Sequence, residues 1–164
     1  MKIIFLDIDG VLNSNFWNDT HQRELSSGTL IDMDKVVLLG ELVKKTNAKI
    51  VLHSGWKFWF NNNLRPVRIE SQKLVDMLQT QDIEIYDVTP DYTTEEIRET
   101  KKFSLVKAKE ILGWLDMHKE TESWIVIDDL DLHDEHIFKH QIKTDQAIGL
   151  TKQDIERAAA MLLK

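Results

Sequence analysis

Three short apolar runs along the chain each end in small, polar or acidic residues. The runs are KIIFLDID, AKIVLHSG and SWIVIDD, at 2–9, 48–55 and 123–129. Ile, Val, Leu and Phe fill them without alternation, which is typical of strands buried on both faces of a parallel sheet. IEIYDV at 83–88 indicates another strand, and IFKHQIK at 137–143 indicates a weaker one.

Helical spacing of apolar residues separates these runs. The predicted helices cover 31–46, 71–80, 103–117 and 151–163. Asn47 is a suitable end for the first helix, and Thr151 followed three residues later by Asp154 is a helix-capping signal. Because strands and helices alternate, the pattern predicts an α/β domain in which helices cover a mainly parallel sheet.

The connections between these elements leave little room for a second domain. The predicted loops cover 10–30, 55–70 and 89–102, and none is long enough to hold a separate cap domain. A length of 164 residues suits one domain with a single sizeable core, so residues 1–164 are predicted to form one domain.

Composition and charge narrow the classes of function. The chain has no run of about 18 apolar residues, so no membrane span is predicted. It has no cysteine, which excludes disulfides, thiolate metal sites and cysteine nucleophiles. The lack of cysteine and of a signal-peptide pattern favours a cytoplasmic setting. The net charge of −7 argues against a broad electrostatic surface for long duplex nucleic acid.

Acidic and hydroxyl side chains follow the three buried runs. They are Asp7 and Asp9, then Ser54, then Asp128 and Asp129. Functional groups gather at the carboxyl ends of parallel strands. Acids so close together shift each other's pKa values unless a cation is bound, and Mg²⁺ prefers oxygen ligands. One strand that ends in an acid is most simply a cap or turn. Three such strands together predict a cation site.

Four motifs resemble those of the haloacid dehalogenase (HAD) superfamily of phosphohydrolases and phosphotransferases, in order and rough spacing. They are FLDIDGVLN, IVLHSGW, VKAKEILGWL and WIVIDDLD. With the closing TD…GLTxxD at 144–154, the chain is similar to the small capless HAD domains associated with RNA-repair proteins. The resemblance implies a three-layer α/β/α Rossmann-like fold with a five-stranded sheet. The strand of the first motif would lie between those of the second and fourth.

The resemblance also implies a mechanism. Asp7 would be the nucleophile that forms an aspartyl-phosphate, and Asp9 would be the general acid and then the general base. Mg²⁺ would be held by the carboxylates of Asp7 and Asp128 and by the backbone carbonyl of Asp9. Asp129 would bind it directly or through water. Ser54 would hydrogen-bond the transferring phosphoryl group.

A lysine of the third motif would offset the remaining phosphoryl charge. Lys107 and Lys109 are two residues apart on a predicted helix, so they cannot both face the site. The pattern of the capless domains selects Lys107. Lys109 stays open as an alternative, and Lys102 is a further one if the helix begins earlier.

Substrate contacts are expected from the loops after the first two strands. Backbone N–H groups near Gly10 and Gly55 would contact the phosphoryl group. Lys57 stands where the capless domains often have Arg, so it is either a substrate contact or a surface lysine. Trp56 begins the aromatic stretch 56–60, which would stack on a nucleobase, pack onto the core or form a dimer patch.

Three further features are given simpler interpretations. The segment 15–24 follows the first motif where HAD proteins carry a flap over the site. His53 is expected to face the neighbouring layer of the fold. A metal site at His133, His136 and His140 lacks the supporting Glu or Cys, so these are interpreted as surface histidines.

The sequence therefore predicts a Mg²⁺-dependent phosphomonoesterase. Its substrate would be a nucleic-acid end, a nucleotide or a small phosphomonoester. The alternatives are a phosphotransferase, a small-metabolite phosphatase, and a binding module that keeps the HAD fold without turnover. The sequence does not distinguish these substrates, and it indicates no oligomeric state.

Overall fold

A single parallel sheet organises the computed structural model, which describes residues 1–14 and 31–164. Its strands are β1 (Lys2–Leu6), β2 (Lys49–Leu52), β3 (Ile85–Val88), β4 (Ser123–Asp128) and β5 (Gln141–Lys143). The order is β3-β2-β1-β4-β5, and every pairing is parallel. The predicted five-stranded α/β fold is confirmed, with the strand of the first motif at the centre.

Besides the strands, the described ranges contain six α-helices and one 3₁₀ helix. They are α1 (Met33–Thr46), the 3₁₀ helix (Gly55–Trp59), α2 (Ile69–Gln79), α3 (Glu95–Thr100), α4 (Ser104–Met117), α5 (Glu135–Phe138) and α6 (Lys152–Leu162). Helix α1 ends as predicted at Asn47, which has a left-handed φ of 55°. Thr151 and Asp154 cap α6 reciprocally, as predicted. None of these helices is long and apolar enough to cross a bilayer.

Three predicted boundaries differ from the structure. The weak strand 137–143 is instead α5 followed by β5, because the side chain of Asp134 accepts a hydrogen bond from Ile137 N at 2.9 Å and begins a helix there. The predicted loop 89–102 contains α3, which is capped by Thr94. The predicted loop 55–70 contains the 3₁₀ helix and the first residues of α2.

Alternate residues of the central strands pack on opposite faces of the sheet. Ile4 and Leu6 of β1 join a core cluster with α1, α2 and α6. Ile3 and Phe5 join a second cluster with α4 and α5. Since successive side chains of a strand point to opposite faces, both clusters need apolar residues, and this explains the runs without alternation.

The register of the three central strands positions the residues that follow them. Leu6 of β1 pairs with Leu52 of β2 and with Ile127 of β4. Asp7, His53 and Asp128 come one residue later, so all three emerge at the same level of the sheet edge.

Candidate active site

Three buried polar side chains meet where β1, β2 and β4 end. Asp7, His53 and Asp128 each offer one ligand atom, and these atoms lie within 4.8 Å of one another. All three residues are at most 5% exposed. The strand register therefore concentrates two carboxylates and an imidazole in a space that excludes most water.

Lys107 supplies a cation between the two carboxylates. Its Nζ lies 2.8 Å from Asp128 Oδ2 and 3.4 Å from Asp7 Oδ2. Lys107 lies in the first turn of α4 and is buried, whereas Lys109 and Lys102 are exposed. Of the three lysines considered from the sequence, the structure brings Lys107 to the site.

His53 contacts the site, which corrects the expectation that it faces the neighbouring layer. Its Nε2 lies 2.8 Å from Asp128 Oδ2, and Leu130 N donates to Asp128 Oδ1 at 2.8 Å. His53 directly follows the last residue of β2, so strand alternation does not fix its direction. The sequence signal for this position is that His53 directly follows β2, one of the strands that end at the site. Its Nδ1 has no hydrogen-bond partner among the described residues.

The two carboxylates of this cluster have opposite pKa shifts. Burial and the neighbouring Asp128 raise the pKa of Asp7 to about 7, although Lys107 and His53 act in the other direction. Burial also acts to raise the pKa of Asp128, but the hydrogen bond from His53 and the charge of Lys107 outweigh it and hold that pKa well below its usual range. Asp128 is thus the ionised member of the pair.

Lys107 stays protonated in this setting. Burial alone would lower its pKa, but the charges of Asp7 and Asp128 outweigh burial and raise it. A single ammonium nevertheless leaves the pKa of Asp7 near neutrality. A second cation beside Asp7 would therefore be favourable, and paired carboxylate oxygens are suitable ligands for a hard divalent ion. Asp7, His53 and Asp128 together form a donor set that could hold a divalent cation.

Asp9 and Asp129 lie outside the close group of ligand atoms formed by Asp7, His53 and Asp128. Asp9 is exposed, and its carboxylate accepts hydrogen bonds from Trp56 Nε1 at 3.1 Å and from Asn13 Nδ2 at 2.9 Å. Asp129 is half-buried, and burial together with Asp128 raises its pKa. A Cβ at Gly10 would lie 2.5 Å from Cγ of Asp129, so the turn after β1 approaches this side chain closely.

Ser54 is positioned by the start of the 3₁₀ helix. It is buried, and its Oγ accepts a hydrogen bond from Trp56 N at 3.2 Å. Accepting this bond does not use the hydroxyl proton, which stays available to donate to a ligand oxygen. The next residue, Gly55, faces open space, because a Cβ added there meets no atom within 4 Å.

Lys57 forms a buried ion pair, so it is not the surface lysine that one interpretation expected. Its Nζ lies 3.0 Å from Glu110 Oε2 and donates to Thr89 Oγ1 and to the carbonyl oxygen of Pro90. Glu110 Oε2 also accepts a hydrogen bond from Tyr92 N at 2.9 Å. Glu110 lies one turn after Lys107 on α4, so this network fixes the 3₁₀ helix against the helix that carries Lys107.

A cavity of about 160 Å³ opens between the 3₁₀ helix and the start of α4. Phe58 and Phe103 line it and are 53% and 43% exposed. Gly55 and Lys107 line it as well, so it adjoins the cluster at the sheet edge. It offers an apolar surface beside the charged groups.

The loop after β1 is supported by the segment that follows β5. Thr144 Oγ1 donates to the carbonyl oxygen of Gly10 at 2.7 Å, and Leu150 N donates to that of Val11 at 2.8 Å. Gly149 has a φ of 79°, and a Cβ there would lie 2.9 Å from the carbonyl oxygen of Asn13. These contacts explain the closing TD…GLT pattern as packing that holds the turn of the first motif.

Two rings of the aromatic stretch 56–60 and two of the three histidines make ring contacts in the structure. Trp56 is buried, and its ring lies 4.7 Å from the ring of Trp59. His140 stacks on Trp124 at 3.9 Å, and His136 contacts both rings. The proposed flap at 15–24 lies outside the described residues.

A parallel sheet whose central strands end in buried acids, with a lysine between them, has the architecture of a HAD-type domain. The chain belongs to the family described as the HAD domain in Swiss Army Knife RNA repair proteins, which matches residues 3–155. No curated protein and no solved structure matches the chain significantly. Membership supports, at the level of the superfamily, a phosphohydrolase-type function on a phosphorylated substrate, with a divalent metal as the usual cofactor.

Proposed function

We propose that the protein is a Mg²⁺-dependent phosphomonoesterase that acts through an aspartyl-phosphate on Asp7. The observation that carries this proposal is the position of Lys107 Nζ, 3.4 Å from Asp7 and 2.8 Å from Asp128. A cation fixed beside a buried carboxylate favours the attacking form of Asp7 and opposes the charge of a phosphoryl group. Ser54 adds a hydroxyl donor from the neighbouring strand end.

The proposed reaction has two steps. An Oδ of Asp7 attacks phosphorus, the bond from phosphorus to the ester oxygen breaks, and the carboxyl group of Asp9 gives its proton to that oxygen. Water then attacks phosphorus, the carboxylate of Asp9 takes one proton of that water, and the bond to Asp7 breaks. The products are an alcohol and inorganic phosphate, and both aspartates return to their starting forms.

Asp7 and Asp128 would hold Mg²⁺ through carboxylate oxygens, together with the backbone carbonyl of Asp9 and with Asp129. When bound, the ion would supply positive charge against the phosphoryl oxygens. His53 is better suited to fix Asp128 than to bind the metal, because its Nε2 is already 2.8 Å from Asp128 Oδ2.

A phosphate at a nucleic-acid end or on a nucleotide is the substrate class we propose. The family takes its description from RNA-repair proteins. The cavity between Phe58 and Phe103 adjoins the candidate site and offers two exposed aromatic rings, on which a base can stack. A terminal phosphate needs only local contacts, which is compatible with the net charge of −7.

A substrate panel tests this proposal. It compares 3′- and 5′-phosphorylated oligonucleotides, nucleotides and sugar phosphates with Mg²⁺, for the parent protein and for Phe58→Ala and Phe103→Ala. We expect the two variants to raise KM for the substrates that carry a base and to leave the sugar phosphates unchanged. Absence of hydrolysis of every oligonucleotide would remove nucleic-acid ends as the substrate. Transfer of phosphate to added alcohols or sugars in preference to water would identify a phosphotransferase.

A further inference from the structure

The carboxylate of Asp9 is held at both oxygens although the residue is exposed. Trp56 Nε1 donates to Oδ2 at 3.1 Å, and Asn13 Nδ2 donates to Oδ1 at 2.9 Å. Asn13 is itself anchored, because its Oδ1 accepts a hydrogen bond from Gly10 N at 2.9 Å. An exposed aspartate that makes no such contacts rotates freely about its side-chain bonds, whereas this one has a defined orientation.

We propose that Trp56 is a positioning residue, whose indole N–H orients the carboxyl group of Asp9 for proton transfer to the leaving-group oxygen. The inference rests on the proposed function, in which Asp9 is the general acid. It gives the 3₁₀ helix after β2 a part in the proton transfer, in which the acid itself, Asp9, comes from the first motif.

The chemistry of the indole suits this task. Its N–H is a donor only, so it neither accepts the proton of Asp9 nor passes it on. It carries no charge, so it holds the carboxyl group without forming an ion pair. The charged donor of the site, Lys107, is directed instead at Asp7 and Asp128. The neutral indole of Trp56 thus donates to Asp9, and the charged ammonium of Lys107 contacts Asp7.

Trp56 also connects two functional groups through one rigid residue. Its backbone N donates to Ser54 Oγ at 3.2 Å while its ring donates to Asp9. The ring is 4% exposed and lies 4.7 Å from the ring of Trp59, so its orientation is fixed by packing. The distance between the hydroxyl that would contact the phosphoryl group and the acid that would protonate the leaving group is therefore set by Trp56. Misplacing a catalytic group by about 1 Å can lower a rate about 10²-fold.

The dependence of the rate on the leaving group distinguishes this role from a general structural one. The p-nitrophenolate ion leaves without a proton, whereas an alkoxide needs one as its bond to phosphorus breaks. We expect Trp56→Phe to lower kcat/KM for an alkyl phosphate by about 10–100-fold, within the range of general acid catalysis. The same variant should lower kcat/KM for p-nitrophenyl phosphate by less than about 3-fold, because the ring and its packing are kept.

Two control variants sharpen the measurement. Trp59→Phe makes the same replacement on the stacked neighbour and should leave the ratio of the two kcat/KM values unchanged. In an Asp9→Asn background, Trp56→Phe should not change the ratio further if it acts through Asp9. An equal loss on both esters for Trp56→Phe, or the same change of ratio for Trp59→Phe, would overturn the inference. If the parent protein shows no Asp7-dependent hydrolysis of either ester, the proposed function fails and the inference fails with it.

A spectroscopic measurement keeps the inference testable if Trp56→Phe does not fold. The chain has five tryptophans, and each gives one indole N–H resonance. Asp9→Ala should move the resonance of Trp56 more than the other four, because it removes the acceptor of that N–H. An unchanged Trp56 resonance would show that the hydrogen bond is absent in solution and would overturn the inference.

Discussion

Among the residues that the structure describes, Asp7 is the acid whose pKa is raised most in the metal-free protein. Burial and the nearby Asp128 raise its pKa from 3.8 to about 7. Because the folded state binds this proton more tightly than the unfolded chain, Asp7 contributes no penalty below about pH 4, and stability is lost as the pH rises to about 7. Above that pH the full penalty remains. The burial of Asp7 thus lowers the stability of the metal-free fold at neutral pH.

Asp7→Asn should stabilise the metal-free protein at about pH 8, by about 1–3 kcal/mol in the free energy of unfolding, because the amide has nearly the same shape without the buried charge. The gain should become small near pH 4. Urea unfolding with a chelator at both pH values measures this. A lower stability of the variant at pH 8 would show instead that the pairing of Asp7 with Lys107 outweighs the burial of its charge.

Gly10 and Gly55 form a contrasting pair at the same sheet edge. Gly10 has a φ of 80°, and a Cβ there would lie 2.5 Å from Cγ of Asp129. Gly10→Ala should therefore destabilise the protein by about 1–2 kcal/mol from the backbone alone, and it should displace Asp129. Gly55→Ala meets no atom within 4 Å and should change stability by less than about 0.5 kcal/mol. Equal thermal shifts for the two variants would contradict this description of the turn.

At the scale of elements, the parts of the fold that the sequence predicts well are those with strong local patterns. The runs at 2–9, 48–55 and 123–129 correspond to β1, β2 and β4, since an apolar run without alternation suits few structures other than a central strand. Helix α3 lies within the predicted loop 89–102, because none of its residues is buried and its sequence has no apolar face. The run 137–143 is predicted as a single strand, whereas the structure divides it between α5 and β5. Ile137 would be buried in either a strand or a helix, so its apolar side chain does not distinguish the two.

In the candidate site, too, residues that follow a local sequence pattern are predictable, whereas contacts between residues far apart in the sequence are not. Asp7, Ser54 and Asp128 were predicted because each follows a recognisable strand, and Lys107 was selected by resemblance. The ion pair of Lys57 with Glu110 and the contact of His53 with Asp128 were missed. Each joins residues more than 50 positions apart, and no local pattern encodes such a contact.

The ion pair of Lys57 with Glu110 joins the 3₁₀ helix to α4, and both side chains are at most 5% exposed. Glu110→Gln removes the carboxylate that pairs with the buried ammonium of Lys57 and should destabilise the protein by about 3 kcal/mol. The double variant Lys57→Met with Glu110→Leu should recover most of that loss, since apolar residues replace both charges. Glu99→Gln, on the exposed side of α3, is the matched control and should change stability little. If Glu110→Gln resembles Glu99→Gln in urea unfolding, the pair contributes little to the connection of these elements.

At the scale of the whole molecule, a chain with a net charge of −7 concentrates negative charge where its central strands end. Binding of a divalent cation at that edge should therefore stabilise the entire fold, because a ligand that binds only the folded state shifts the unfolding equilibrium. The raised pKa of Asp7 gives the direction of this coupling, since a bound cation favours its ionised form.

Mg²⁺ at ten times its dissociation constant should stabilise the protein by about 1.4 kcal/mol and raise Tm by about 3–6 °C. The shift should exceed that given by NaCl at equal ionic strength, and it should disappear in Asp128→Asn. Thermal unfolding with each salt checks this. An equal response to both salts would indicate general screening of charge and no specific cation site.

Hydrolysis of p-nitrophenyl phosphate with Mg²⁺ tests the central claim most directly, by comparing the parent protein with Asp7→Asn and with Asp116→Asn. Asp116 is an exposed acid on α4 that pairs with Lys119, so its variant controls for the loss of one negative charge. The proposed covalent mechanism predicts that Asp7→Asn lowers kcat by at least about 10³-fold and that Asp116→Asn retains the parent rate. Equal rates for the parent protein and Asp7→Asn would contradict the assignment of Asp7 as the nucleophile.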